Sequence, residues 1–158
     1  MEDITIIGID PGKSGGIAII EPNGFVHAIN MPVTAADLFD TLNGWPHAHA
    51  FVEKVNAGPK MGSSAAFKFG HGCGMLQMAC VAAHVRLEYV TPQKWQRHHG
   101  LIVSGRGLGQ GDTEKKNRNK ARAQELFPAL RITHAVADAL LIAEYGRSLM
   151  RAGKAVAS

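Results

Sequence analysis

In three places this chain sets a carboxylate at the tip or in the middle of a strongly apolar run. The runs are Ile6-Ile7-Gly8-Ile9-Asp10-Pro11-Gly12, Ala50-Phe51-Val52-Glu53 and His134-Ala135-Val136-Ala137-Asp138-Ala139-Leu140-Leu141-Ile142-Ala143. A carboxylate among apolar neighbours is costly unless it is paired or binds a cation. A fold that buries these runs must give each acid its own partner or bring all three to one ligand. Read singly, Asp10 is a turn acid before Pro-Gly, Glu53 a strand-end acid, and Asp138 a buried acid beside a cation. Asp138, however, has no obvious cation on its helix face. A divalent metal shared by the three is the simplest common ligand.

The pattern around these runs predicts how they meet. Residues 4–10 are rich in β-branched side chains and read as a buried strand. Turn chemistry at 11–15 leads to a second strand over 16–20, and Glu21-Pro22-Asn23-Gly24 to a third over 25–30, an antiparallel meander. A short helix over 34–43, with Thr34 as N-cap, precedes a fourth strand at 49–55. Residues 64–83 read as a helix rich in small residues, interrupted early by Gly70, Gly72 and Gly74; 85–90 is a fifth strand. Thr91-Pro92 opens a helix to about 98. The span 100–111 holds five glycines and reads as a mobile loop, after which Asp112 or Thr113 caps a helix that ends at Pro128. A last helix runs from about 134 to 151, and the tail from Gly153 is expected to fray. A meander followed by alternating helices and strands implies a mixed five-stranded sheet flanked by helices, in one domain over 1–158. If the first and fourth strands lie parallel and adjacent, Asp10 and Glu53 emerge side by side, and Asp138 joins them from the last helix.

The rest of the chain is basic, with formal net charge +4 and a pI near 9.3, which fits a polyanionic partner. Acids holding metal inside a basic protein point to phosphodiester chemistry. Magnesium takes oxygen ligands and keeps several waters, so a few carboxylates plus a substrate phosphate suffice. With two ions, one can activate the attacking water and the other stabilise the leaving oxygen, and Asp10 is the natural bridge. His134 and Asp138, four apart, share a helix face; His134 would ligate a second metal, or position or activate the water.

Three stretches suit a nucleic-acid surface. Residues 113–122 carry Lys115, Lys116, Arg118, Lys120 and Arg122 against one acid, Glu114, after a glycine-rich loop bearing Arg106. Such a run reads either as a solvated face or as a phosphate-contacting arm. In Lys60 to Gly70, Phe67 and Phe69 flank Lys68; i and i+2 do not share a helix face, so one phenylalanine is free to stack on an unpaired base unless both are core. In 93–99, Lys94 and Arg97 can reach a phosphate, Trp95 reads as core, and His98 and His99 are assigned no role. Cys73 and Cys80 fit neither a zinc spacing nor a disulfide framework and read as small buried residues in a reducing compartment. No apolar run reaches the ~18 residues of a membrane span, and no basic segment precedes the first strand, so neither a membrane span nor a signal peptide is expected.

Taken together, these segments resemble the RuvC-type Holliday junction resolvases, a branch of the ribonuclease H-like superfamily. Gly8-Ile9-Asp10-Pro11-Gly12 is similar to the family's first-strand motif, Phe51-Val52-Glu53 to its second acid, and Ala137-Asp138-Ala139-Leu140-Leu141-Ile142-Ala143 to its helical motif. Ser64-x-x-Phe67-Lys68-Phe69-Gly70, Thr91-Pro92-x-x-Trp95 and the basic helix ending Leu126-Phe127-Pro128 resemble phage and other compact members. The chain departs from many members at Ala135, where they carry a fourth acid; His134 stands one residue earlier and is taken as the fourth site member. The resemblance implies a ribonuclease H-like fold and a cytoplasmic homodimer that binds four-way DNA junctions. It also implies paired symmetric nicks with Mg2+, or Mn2+ in its place, at Asp10, Glu53, His134 and Asp138, and a dimer interface near Gly74 to Ala83. A broader nuclease for flaps, forks or RNA–DNA hybrids would show the same acids. A nucleotide-binding enzyme of the actin and sugar-kinase type needs a much longer chain, and a non-catalytic junction binder gains little from buried acids.

Overall fold

The computed structural model describes residues 4–56, 58–102 and 111–156. Strands β1 (Ile6–Asp10), β2 (Gly16–Ile20) and β3 (Val26–Asn30) form the expected antiparallel meander. Helix α1 (Ala35–Asn43) follows, its first turn closed by Thr34, whose Oγ1 accepts the Asp37 backbone N–H at 3.1 Å. Strand β4 (His49–Glu53) then pairs parallel to β1, with Ile9 opposite Val52. Helix α2 (Ser63–Ala82) leads to β5 (Arg86–Val90), parallel to β4, and the sheet order is β3-β2-β1-β4-β5. Helices α3 (Pro92–His98), α4 (Asp112–Leu126) and α5 (His134–Val156) complete the described chain.

Side chains alternate across the sheet, so each face has its own core. Ile7, Ile9, Ile17, Ile19, Ala50 and Val52 pack with Leu38 and Leu42 of α1 and Leu76, Ala79 and Cys80 of α2. Ile6, Ala18, Ile20 and Phe51 pack on the other side with Trp95, Ala123 and the apolar stripe of α5. Asp10 and Glu53 continue the second set, two residues beyond Gly8 and Phe51. Both acids thus leave the sheet at one edge, on the face that α5 covers.

Two local expectations change. Helix α2 runs unbroken through Gly70, Gly72 and Gly74. Each interior glycine costs roughly 0.5–1 kcal/mol relative to alanine, so packing of Leu76, Ala79 and Cys80 sustains this helix rather than local propensity. Helix α4 is capped by Gly111 with no side-chain cap bond, and Asp112 is already its first residue, so neither Asp112 nor Thr113 serves as the cap.

The seat of α5 is set by glycine. A Cβ on Gly8 would collide with the backbone of α5, at the Ala139 carbonyl oxygen and the Ala143 nitrogen. On the helix side, a Cβ on Gly146 would enter the Phe51 ring. Strand and helix are therefore in backbone contact directly beside Asp138. Gly8→Ala is expected to destabilise the protein by about 3 kcal/mol or more, because a backbone rather than a flexible side chain must yield. Urea unfolding measures this, and an unchanged midpoint would refute the contact.

Candidate active site

Three elements deliver the acids to one place. Asp10 closes β1, and the turn behind it is tight: the Gly15 N–H donates to the Gly12 carbonyl at 3.1 Å. Gly12 sits at φ +120°, where L side chains are strained. A Cβ on Gly15 would strike the Asp10 backbone. Glu53 closes β4, one step beyond the Ile9–Val52 pair. Asp138 lies one turn into α5, above Gly8.

The electrostatics show that the three sense one another. Burial raises the Asp10 carboxyl most, the charges of Asp138 and then Glu53 raise it further, and Lys116 opposes; the result is about 7 against an ordinary 3.8. Glu53 is raised by burial, opposed by a hydrogen bond from Trp95, raised again by Asp138 and eased by Lys115. Asp138 is raised by burial and eased by Asn119, Lys115, Lys116 and His134. Mutual repulsion falls hardest on Asp10, which keeps its proton longest in the metal-free protein.

Two neutral donors hold the flanking acids. The Trp95 indole N–H donates to Glu53 Oε1 at 3.0 Å, and the Asn119 amide donates to Asp138 Oδ1 at 2.9 Å. Trp95 is core, as its sequence context suggests, but a buried indole N–H needs an acceptor, and that acceptor is the acid. His99, one turn further, is buried, and its Nε2 lies 2.7 Å from the Leu141 carbonyl as the donor. Helix α3 thereby brackets β4 and α5. Neither Asn119 nor His99 was singled out from sequence: the first is hidden in a run of charges, the second beside another histidine.

The remaining candidates are distributed around this centre. His134 is exposed as the first residue of α5, and its charge reaches Asp138. Lys115 and Lys116 are exposed on the first turns of α4, beside the acids. Arg118 and Lys120 are half-buried flanks of the seam that Asn119 and Ala123 make with α5. Lys60, Lys68, Lys94 and Arg97 are exposed. Phe67 is 74% exposed, whereas Phe69 lines an apolar groove with Met31, Pro32, Leu38 and Met75. The two phenylalanines therefore have different surroundings. Arg106 lies outside the described residues.

Among the described residues, no three His, Cys, Asp or Glu side chains are gathered closely enough to hold a metal ion as they stand. The donor set still suits a hard divalent cation. All three acids offer oxygen, Glu53 and Asp138 each commit one oxygen to a neutral donor, and the repulsion centred on Asp10 is what a cation relieves.

No protein-family model matches the chain, and no curated protein matches it by sequence. Its structure is similar to that of Thermus thermophilus RuvC in complex with a Holliday junction substrate. The TM-score is 0.64 at 18% identity, over 95% of this chain and 96% of that one. A second Thermus thermophilus RuvC structure gives a TM-score of 0.61 at 20% identity, over 95% and 97%. The fold is ribonuclease H-like.

The raised acids give a stability prediction for the metal-free protein. A carboxyl raised in the fold contributes stability below its unfolded value near 4, and that contribution is lost as pH climbs through about 7. Asp10→Asn removes the penalty. In chelator, the variant should melt roughly 5 °C or more above the wild type at pH 8, with the gap closing towards pH 4. Thermal melts of both proteins across this range decide it; a gap that does not vary with pH would refute the raised Asp10 carboxyl.

Proposed function

We propose that this chain is a metal-dependent endonuclease that resolves four-way DNA junctions by paired nicks, working as a cytoplasmic homodimer of one nuclease domain. The convergence of Asp10, Glu53 and Asp138 at one sheet edge, with Lys115 and Lys116 beside them, carries this reading. Support comes from the likeness in fold to a protein whose structure holds a Holliday junction. Among the described residues, no helix is long and apolar enough to cross a membrane.

In this reading Asp10, Glu53 and Asp138, with His134 at the rim, hold Mg2+, or Mn2+ in its place. When bound, the cation would supply positive charge at the scissile phosphate and would acidify the attacking water. The chain's own residues do the rest. Trp95 and Asn119 keep two acids oriented. Lys115 and Lys116 draw the phosphodiester towards the acids and offset their repulsion of it. His134 is placed to accept a proton from the water or to bind a second ion. Further out, Lys60, Lys68, Lys94, Arg97, Arg118 and Lys120 track the DNA backbone, and Phe67 offers its exposed ring to an unpaired base; Arg106 is proposed for the same role from its sequence alone. The dimer would form through α2, where Met78 and Val81 are 61% and 62% exposed; a two-fold substrate suits a two-fold protein.

The decisive experiment incubates the protein with a labelled four-way junction and a matched duplex, with Mg2+, Mn2+ or chelator. Symmetric nicks in the junction alone, dependent on metal, are expected. Asp10→Asn should lose nicking by at least about a thousandfold while binding the junction as well as the wild type. Equal cutting of flaps and forks would broaden the substrate class, and binding without cutting under either metal would overturn the enzyme. Junction affinity should also fall steeply with salt, and Lys68→Ala should lower the log–log slope by about one. A flat salt response would remove the proposed basic surface.

A further inference from the structure

Helix α4 is strongly charged, and the residues it buries are Asn119 and Ala123. Ala123 is ordinary packing. Asn119 is only 4% exposed, and its Oδ1 is buried with no hydrogen-bond partner among the described residues. An unmade hydrogen bond on a buried carbonyl costs about 1–3 kcal/mol. As an element of the α4–α5 seam, an apolar residue of similar size would serve better. The bond that Asn119 does make runs across that seam: its amide donates to Asp138 Oδ1 at 2.9 Å.

The position on α4 gives the bond a second consequence. Lys115 and Lys116 lie four and three residues earlier, on the same side of the helix. Their charges reach Asp138, and individually they reach Glu53 and Asp10. One side-chain bond therefore ties the basic turn beside the site to an acid of the site.

We propose that Asn119 is a positioning residue for the metal site, holding one oxygen of Asp138 so that the other is kept for the cation, and registering the basic first turns of α4 against the acids. The proposal rests on the metal-dependent nuclease reading above. It assigns Asn119 no contact with substrate or with the reacting atoms. It makes the fold accept an unsatisfied buried amide in exchange for an oriented ligand.

The test uses the full chain with Mn2+ alone as probe, read by titration calorimetry without DNA. Parallel thermal melts and junction binding are measured in chelator. Asn119→Leu removes the donor and keeps the bulk; Asn119→Ala removes the donor and cannot overpack. Both are expected to bind Mn2+ about tenfold or more weakly, and at least one to melt no lower than wild type in chelator and to bind the junction within about twofold of it. Wild-type Mn2+ affinity in the variants would overturn the positioning role and leave the nuclease reading standing. If both variants melt well below wild type in chelator, Asn119 belongs to the fold and the proposal fails. A wild-type protein that takes up no Mn2+ sinks the nuclease reading, and this proposal with it.

Discussion

Everything at the candidate site depends on one close approach, the backbone of α5 against the backbone of β1. Gly8 permits it from the strand, and Gly146 lets the same helix sit against the Phe51 ring of β4. Leu140, Leu141, Ile142 and Ala143 are fully buried in this seat, which at roughly 1.5–3 kcal/mol for each large side chain makes α5 the most firmly held helix of the fold. Asp138 lies within the same turn as the contact. It cannot withdraw from the acids of β1 and β4 without lifting the helix, so hydrophobic burial is what forces the three like charges together.

That arrangement inverts the usual contribution of a carboxylate. Paired acids stabilise a fold at neutral pH; here burial raises all three, and like charge adds to it at Glu53 and most of all at Asp10. With all three acids ionised, the fold is thus less stable than its core would allow. The neutral donors Trp95 and Asn119 are consistent with this. They fix a carboxylate without neutralising it, whereas an arginine in either place would complete an ion pair.

The architecture was largely legible in the sequence because its evidence is local. Apolar runs of strand length, the Thr34 cap, and Pro92 at a helix start are patterns that need no partner, whereas the parallel pairing of β1 with β4 was open to the sequence as one arrangement and is fixed by the fold. The acids were legible because a charge inside Ile-Gly-Ile-Asp or Ala-Asp-Ala-Leu-Leu violates the pattern around it. What was not legible depends on a second surface. Gly70, Gly72 and Gly74 read as breaks because intrinsic propensity opposes them, but packing against the sheet overrides it. Asn119 sits in Lys-Lys-Asn-Arg-Asn-Lys, where nothing distinguishes it from its polar neighbours; only the seam with α5 does. The buried indole of Trp95 did carry a hint, since it needs an acceptor, but the choice of Glu53 required the fold.

The lysines add a constraint that the acids alone do not show. Three carboxylates meet two lysines, Lys115 and Lys116, so one negative charge is uncompensated when all three acids are ionised. A phosphodiester brings one more. Neither DNA alone nor a divalent cation alone leaves the site near neutrality: the first deepens the deficit, the second overshoots it. Together they balance it. On the nuclease reading, cation and DNA therefore favour each other's binding through charge, without any change of shape. On that reading the same balance accounts for lysines on α4 rather than on the sheet. A cation built into the rigid core beside Asp10 would satisfy the acids permanently, whereas one carried on a long flexible side chain at the start of a surface helix can turn to the phosphate when it arrives.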